Sequence, residues 1–180
     1  MTFDNILEEK IRNCEKCDLK GRGFAVERFK NFSKVMFVGE APGAEEEKVG
    51  KPFVGRAGKE LDMWVEALGV EDFIITNVVK HRPPDNRTPT LDEMLNCLPF
   101  LEAEIDYYRP KLLVLLGKVA VSIVDPKASL TQLVKSSYYT PLFYKGVRTL
   151  VLFHPSYSLR TGILPPLGKY REFIQNFLIP

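Results

Sequence analysis

The chain has 180 residues, 45% of them hydrophobic, 27% charged and 11% aromatic, with a formal net charge of +2. That length suits one domain with a buried core, and the apolar content excludes a chain that is mainly disordered, collagen-like or of low complexity. No run approaches the about 18 uninterrupted apolar residues of a membrane span, and the N-terminal stretch MTFDNILEEKIRNC carries charges where a signal peptide has its apolar region. The expectation is a cytoplasmic protein with one domain over residues 1–180. The near-neutral charge leaves nucleic acid open as a partner without demanding it.

The three cysteines fit a reducing compartment better as metal ligands than as disulfides. Cys14 and Cys17 form a C-x2-C pair, whose short loop lets two thiolates face one ion or cluster. Cys97 and His81 are the candidates to complete the set, with zinc and iron both open. Downstream, Val35 to Val38 is a short, wholly apolar run without the alternation of a half-solvated sheet, so it reads as a buried parallel strand. It delivers Gly39-Glu40-Ala41-Pro42-Gly43, where Glu40 stands at the mouth of a cleft or in a solvated turn. Glu45, Glu46 and Glu47 read by default as a solvated, helix-starting run. The stretch Gly50 to Ala57 has P-loop-like glycine spacing but lacks the Lys and Ser/Thr that meet phosphate and magnesium, which excludes a nucleoside triphosphatase. Phe53, held between glycines, either stacks on a planar ligand or anchors the loop.

A helix is predicted from Gly58 to Leu68, with Leu61, Trp64, Val65 and Leu68 on one face. Phe73 to Val79 is the second strand; Asn77 interrupts it, and a buried amide there either ties loops together or reads a ligand. The second long helix, Leu91 to Tyr108, carries Cys97. Leu112 to Leu116 and Leu150 to Phe153 are the third and fourth strands, with a helix from Lys118 to Val124, a hairpin turning at Lys145-Gly146 and a last helix from Lys169 to Leu178. The order predicts a three-layer α/β/α sandwich on a central four-stranded parallel sheet, with right-handed crossovers. Sites in such sheets form beyond the carboxyl ends of the strands, and both histidines of the chain fall there. His154 is followed by Pro155, Ser156 and Tyr157, while Arg82, Arg87, Arg160, Lys169 and Arg171 offer cations for phosphate along the same rim.

Together, C-x2-C, VGEAPGAEEEKVGKPFVGRAGKELD from Val38, ITNVVKHRPPDNRTP from Ile75 and HPSYSLR from His154 resemble the family 4 uracil-DNA glycosylases, the thermostable iron-sulfur branch of their superfamily. The resemblance covers nearly the whole chain. It implies a [4Fe-4S] cluster, a monomer and removal of uracil from DNA by cleavage of its N-glycosidic bond. That family places a cysteine where this chain has His81, so the implied ligands are Cys14, Cys17, His81 and Cys97; imidazole replaces thiolate on iron in Rieske centres. The histidine is also reminiscent of a branch that captures DNA covalently, but that branch's KRRIH loop is missing, so covalent capture is not expected. The aspartate of the better-known single-domain branch falls at Ala41, and the family's Glu-Asp pair reads Glu46-Glu47.

The resemblance assigns Ala41, Phe53, Asn77 and Glu46 to the base pocket, with Phe53 stacking on uracil and Asn77 reading its edge. His154 would donate to O2 and Glu40 orient water or stabilise the sugar cation. Ser156, Leu159 and Arg160 belong to a loop entering the minor groove, with Leu159 as wedge and Arg160 on phosphate. A non-catalytic nucleic-acid-binding module on the same scaffold, and structural zinc on the Cys3His set, are the competing readings. Docking to a replication clamp is not legible in the sequence.

Overall fold

Phe37, Ile75, Val114 and Leu150 occupy the centres of four strands that are buried on both faces, which is why their sequences show no polar alternation. The computed structural model describes residues 2–30 and 34–179. Its sheet runs β1(Arg28–Lys30), β3(Phe73–Asn77), β2(Val35–Gly39), β4(Leu112–Leu116), β6(Val147–Leu152), β5(Phe143–Tyr144) in spatial order. The inner four strands are parallel, as expected; β1 and β5 pair antiparallel at the two edges and make the sheet six-stranded. The Lys145-Gly146 hairpin is present, with both residues at positive φ as a two-residue turn between twisted strands requires.

The helices that flank the sheet include α3(Arg56–Leu68), α4(Leu91–Tyr108), α5(Gly117–Ser122) and α8(Leu167–Phe177), each within a few residues of its predicted span. Thr90 and Glu93 close a capping box that starts α4, and Arg87 grips the Glu93 carboxylate at 2.6 Å, fixing the helix that bears Cys97. Of four further helices, α1(Phe3–Arg12) sets Phe3, Leu7 and Ile11 on one face, whereas α2(Ala44–Val49), α6(Leu130–Ser136) and α7(Pro155–Thr161) are short and carry no long apolar stripe. Leu7 and Ile11 of α1 pack with Val26 in a small core of their own. The stretch expected as a loop after His154 is therefore helix α7, started by Pro155 at its first position and capped by the His154 imidazole.

Beneath the carboxyl ends of the strands lies a buried polar group. Lys80 Nζ is 2.7 Å from Glu104 Oε2, both side chains are fully buried, and Thr76 Oγ1 shares hydrogen bonds with each. The pair joins the end of β3 to α4. No helix is long and apolar enough to cross a membrane among the described residues.

Candidate active site

A cavity of about 550 Å³ opens where the four parallel strands end, at the point where strand order reverses on either side of β2. Glu40 and Ala41 follow β2 directly, Asn77 ends β3, Gly117 and Lys118 start α5 after β4, and His154, Ser156, Tyr157 and Arg160 come from the turn after β6 and from α7. Phe53 and Glu46 complete the wall from the loop before α3 and from α2. The volume lies within the about 300–1,000 Å³ usual for small-ligand sites.

Phe53 is the most constrained of these residues. It adopts φ 53°, a conformation that aromatic side chains rarely take, and its ring is buried with its centroid 5.5 Å from that of His154. Two glycines make room for it. A Cβ on Gly39 would lie 2.4 Å from Phe53 Cζ, and one on Gly58 would lie 1.8 Å from the Phe53 carbonyl oxygen. Glu46 holds the loop. Its Oε1 accepts from the N–H groups of Val54 and Gly55, each at 3.1 Å, and its Oε2 accepts from Gly43 N at 3.1 Å. The Glu46 carboxylate thus lines the cavity while occupied with three backbone donors.

Asn77 is 1% exposed, and its Oδ1 has no hydrogen-bond partner within the protein. A buried acceptor left in this state costs about 1–3 kcal/mol until a donor arrives. Its backbone neighbours are settled, since Val78 N donates to the Gly39 carbonyl and Val79 N to that of Glu40. Glu40 sits at the cavity with its acidity weakened by burial, which raises its pKa above 4.5. Burial also depresses the pKa of His154 to about 4, so its ring is neutral at pH 7. Ser156 N donates to His154 Nδ1 at 3.2 Å and the Ser156 hydroxyl lies 2.7 Å from the same nitrogen, which leaves the proton on Nε2. Gly117, at φ 87°, lets this strand end approach; a Cβ there would meet His154 Cβ at 2.8 Å.

The expected DNA-contact residues lie around the same mouth. Ser156 and Arg160 line the cavity, and Leu159 is 43% exposed on α7. The other cations are placed differently. Arg82 pairs with Glu47 and Arg87 with Glu93, Lys169 lies over the Tyr138 ring, and Arg171 reaches the Ala67 carbonyl, so none of the four lines the cavity. Gly117, Asn86 and Thr88 also line the cavity, Gly39 backs the Phe53 ring and Asn77, and sequence reasoning missed them. Gly39 ends a buried strand and Gly117 follows one directly, which is the signal that marks them.

The metal-ligand candidates lie on the far side of the loop that follows β3. Cys97 is buried, and its Sγ accepts from Lys80 N at 3.1 Å. Burial first, and the neighbouring thiols of Cys14 and Cys17 in addition, push the Cys97 thiol up to about 11 against the pull of Lys80. The three sulfurs are thus within electrostatic reach of one another. His81 is buried with Nε2 lacking a partner, its ring 5.7 Å from that of Phe24, and its segment pairs with residues 23–25 that follow the C-x2-C loop. Among the described residues, no three His, Cys, Asp or Glu side chains converge on the position of a single metal ion. An unpartnered imidazole nitrogen and three reduced thiols on adjoining segments fit a multi-iron centre by donor type.

Residues 27–177 match the family model described as the uracil DNA glycosylase superfamily. Among curated proteins, the chain is 40% identical to a type-4 uracil-DNA glycosylase of Saccharolobus solfataricus over 93% of this chain and 81% of that one. It is 39% identical to the type-4 uracil-DNA glycosylase of Thermotoga maritima over 95% and 94%. It is also 30% identical to a type-5 uracil-DNA glycosylase of Pyrobaculum aerophilum over 73% and 66%.

Proposed function

The chain belongs to the uracil DNA glycosylase superfamily, and on that premise we propose that it is a DNA repair enzyme that flips uracil out of DNA and hydrolyses its N-glycosidic bond. The observation that carries this reading is the unpartnered Asn77 Oδ1 in a cavity shared with Phe53, His154 and Glu40. Uracil offers that oxygen its N3–H and offers the amide N–H groups its O4. Cytosine reverses both groups, leaving the amide unpaired in a buried site, which is the strong kind of discrimination. Phe53 stacks on the extruded base and offsets part of the few kcal/mol that flipping costs.

As the N1–C1′ bond breaks, negative charge grows on uracil and positive charge on the sugar. His154 Nε2–H donates to uracil O2; because the ring is neutral, it stabilises the departing anion by a fixed hydrogen bond without giving up its proton. Glu40, ionised, faces the sugar cation and takes a proton from the water that attacks C1′. Ala41 leaves the floor free of a competing carboxylate, so this role falls to Glu40. The α7 helix enters the minor groove, where Leu159 fills the vacated stack and Ser156 and Arg160 contact phosphate.

Cys14, Cys17, His81 and Cys97 would hold a [4Fe-4S] cluster. When bound, it supplies a cross-link between the N-terminal segment, the loop after β3 and α4. The chemistry at the sugar is left to the protein's own groups. Zinc on the same residues gives colourless protein, whereas iron gives broad visible absorption. The protein is read as a cytoplasmic monomer acting on uracil-containing DNA.

The test is release of uracil from single-stranded and duplex oligonucleotides, followed by alkaline cleavage of abasic sites, beside Asn77→Ala, Glu40→Ala and His154→Ala. Wild type cleaves, and each variant loses about a hundredfold or more, as removal of one preorganised group does. Tight binding of uracil-containing DNA without abasic sites would instead identify a non-catalytic module.

A further inference from the structure

The run Glu45–Glu47, one solvated patch in the sequence, is divided by α2 into three different roles. Glu45 pairs with Lys48 in solvent. Glu46 holds the Phe53 loop through Val54 N and Gly55 N. Glu47 turns the other way and meets Arg82 Nη1 at 2.5 Å, both side chains being about three-quarters buried. Arg82 follows His81 directly and is a hub. Its N–H donates to the Gly23 carbonyl at 2.8 Å, its carbonyl accepts from Arg22 Nε at 2.7 Å, and its own Nε donates to Asn86 Oδ1 at 2.8 Å. Gly23 lies so close that a Cβ on it would fall 2.5 Å from Glu47 Oε2.

The helix between these contacts has little else to hold it. α2 has six residues and buries none of them. A helix this short is not stable by itself, and without apolar packing its position is set by its polar ties. Those ties are Glu47 toward the His81 loop and Glu46 toward Phe53. Phe53 in turn keeps a strained left-handed conformation that must be imposed from outside.

We infer that Glu47 and Arg82 are positioning residues for base recognition: their ion pair fixes α2 against the His81 loop, and Glu46 passes that position to the Phe53 ring. Neither side chain lines the cavity. The inference rests on the reading of the cavity as the uracil site.

The experiment titrates free uracil into wild type, Glu47→Ala, Glu47→Gln and Arg82→Met by calorimetry. Iron content, melting temperature and affinity for uracil-free DNA are followed in parallel. Glu47→Ala and Arg82→Met are expected to keep their iron and their affinity for uracil-free DNA while losing about tenfold in uracil affinity, the effect of one charge-assisted hydrogen bond. Glu47→Gln keeps an acceptor for Arg82 and recovers most of that loss. Should Glu47→Ala not fold, Arg82→Met breaks the same contact from its other end. Uracil affinity within about twofold of wild type in these variants, or a loss that only follows loss of iron, overturns the inference. Failure of wild type to bind uracil overturns the reading of the cavity, and the inference with it.

Discussion

Gly39→Ala is the smallest change that tests whether the stacking ring and the reading amide form one device. Gly39 ends β2 without a positive φ, so alanine is compatible with its backbone. The added methyl group has no room: it would lie 2.4 Å from Phe53 Cζ, 2.5 Å from Phe53 Cε2 and 2.6 Å from Asn77 Oδ1. Ordinary contact needs about 3.5 Å, so ring and amide must each retreat by about 1 Å. Both move away from the positions that a base between them requires.

Overpacking of this size costs about 1–3 kcal/mol of stability, and a 1 Å misplacement of a recognition group lowers the rate about a hundredfold. Single-turnover release of uracil from an oligonucleotide should therefore fall about a hundredfold in Gly39→Ala, with a lowered but still cooperative melting transition. Gly168→Ala is the control. No atom lies within 4 Å of its would-be Cβ, it sits inside α8, and the change should stabilise by about 0.5–1 kcal/mol with unchanged release. Release by Gly39→Ala at the wild-type rate would refute the claim that Phe53 and Asn77 act as a matched pair.

The acid limb of kcat/KM should lie above the ordinary carboxylate range, because burial raises the pKa of Glu40 and activity needs it ionised; the Glu40→Gln profile should lack that limb. His154 contributes to stability with a definite sign. Its folded-state pKa of about 4 lies below its ordinary 6.5, so the unfolded chain binds the extra proton between those values. Stability is full above pH 6.5 and is lost toward pH 4, by about 3 kcal/mol. Denaturant titrations of wild type and His154→Gln should differ in this slope. His81→Ala should lose visible absorption and melt at lower temperature, whereas His81→Cys should keep the chromophore with a shifted reduction potential. Glu104→Gln leaves Lys80 buried without its counter-charge and should cost about 3–5 kcal/mol in chemical unfolding.

The parallel core was legible because Val35 to Val38 and Leu112 to Leu116 have no polar face, and only a strand covered on both sides tolerates that. The edges were not. β1 and β5 are three and two residues long, too short for any period to show. α2 and α7 were hidden for a related reason: their bounds come from caps, the Glu46 carboxylate on Gly43 N and the His154 side chain on Ser156 N, rather than from an apolar stripe. Pro155 at the first helical position was the one readable sign of α7. Among the site residues, those that follow strands directly were open to reading, whereas Glu46 looks in sequence like Glu45 and Glu47. Only the fold separates a carboxylate that caps Val54 and Gly55 from one in solvent. The cations were over-read for the converse reason, since sequence shows Arg82 and Arg87 as charges but not the glutamates that occupy them.

Strand β3 explains why the empty acceptor of Asn77 is a feature of recognition and not a flaw in packing. Successive residues of a strand face opposite sides. Thr76 turns toward α4 and is fully engaged with Glu104 and Lys80, so polar atoms on the closed side of the sheet are matched within the fold. Asn77, one residue later, turns to the cavity and keeps an oxygen unmatched. The penalty of about 1–3 kcal/mol is taken during folding and is removed only by a ligand with a donor in that place. A base with an acceptor there finds the penalty still standing and adds its own desolvated lone pair to it. Selection between two nearly isosteric pyrimidines therefore needs no extra contact with the correct one. It needs ring and amide held in place, and the fold packs Gly39 against both the Phe53 ring and Asn77 Oδ1 while Gly58 packs against the Phe53 backbone.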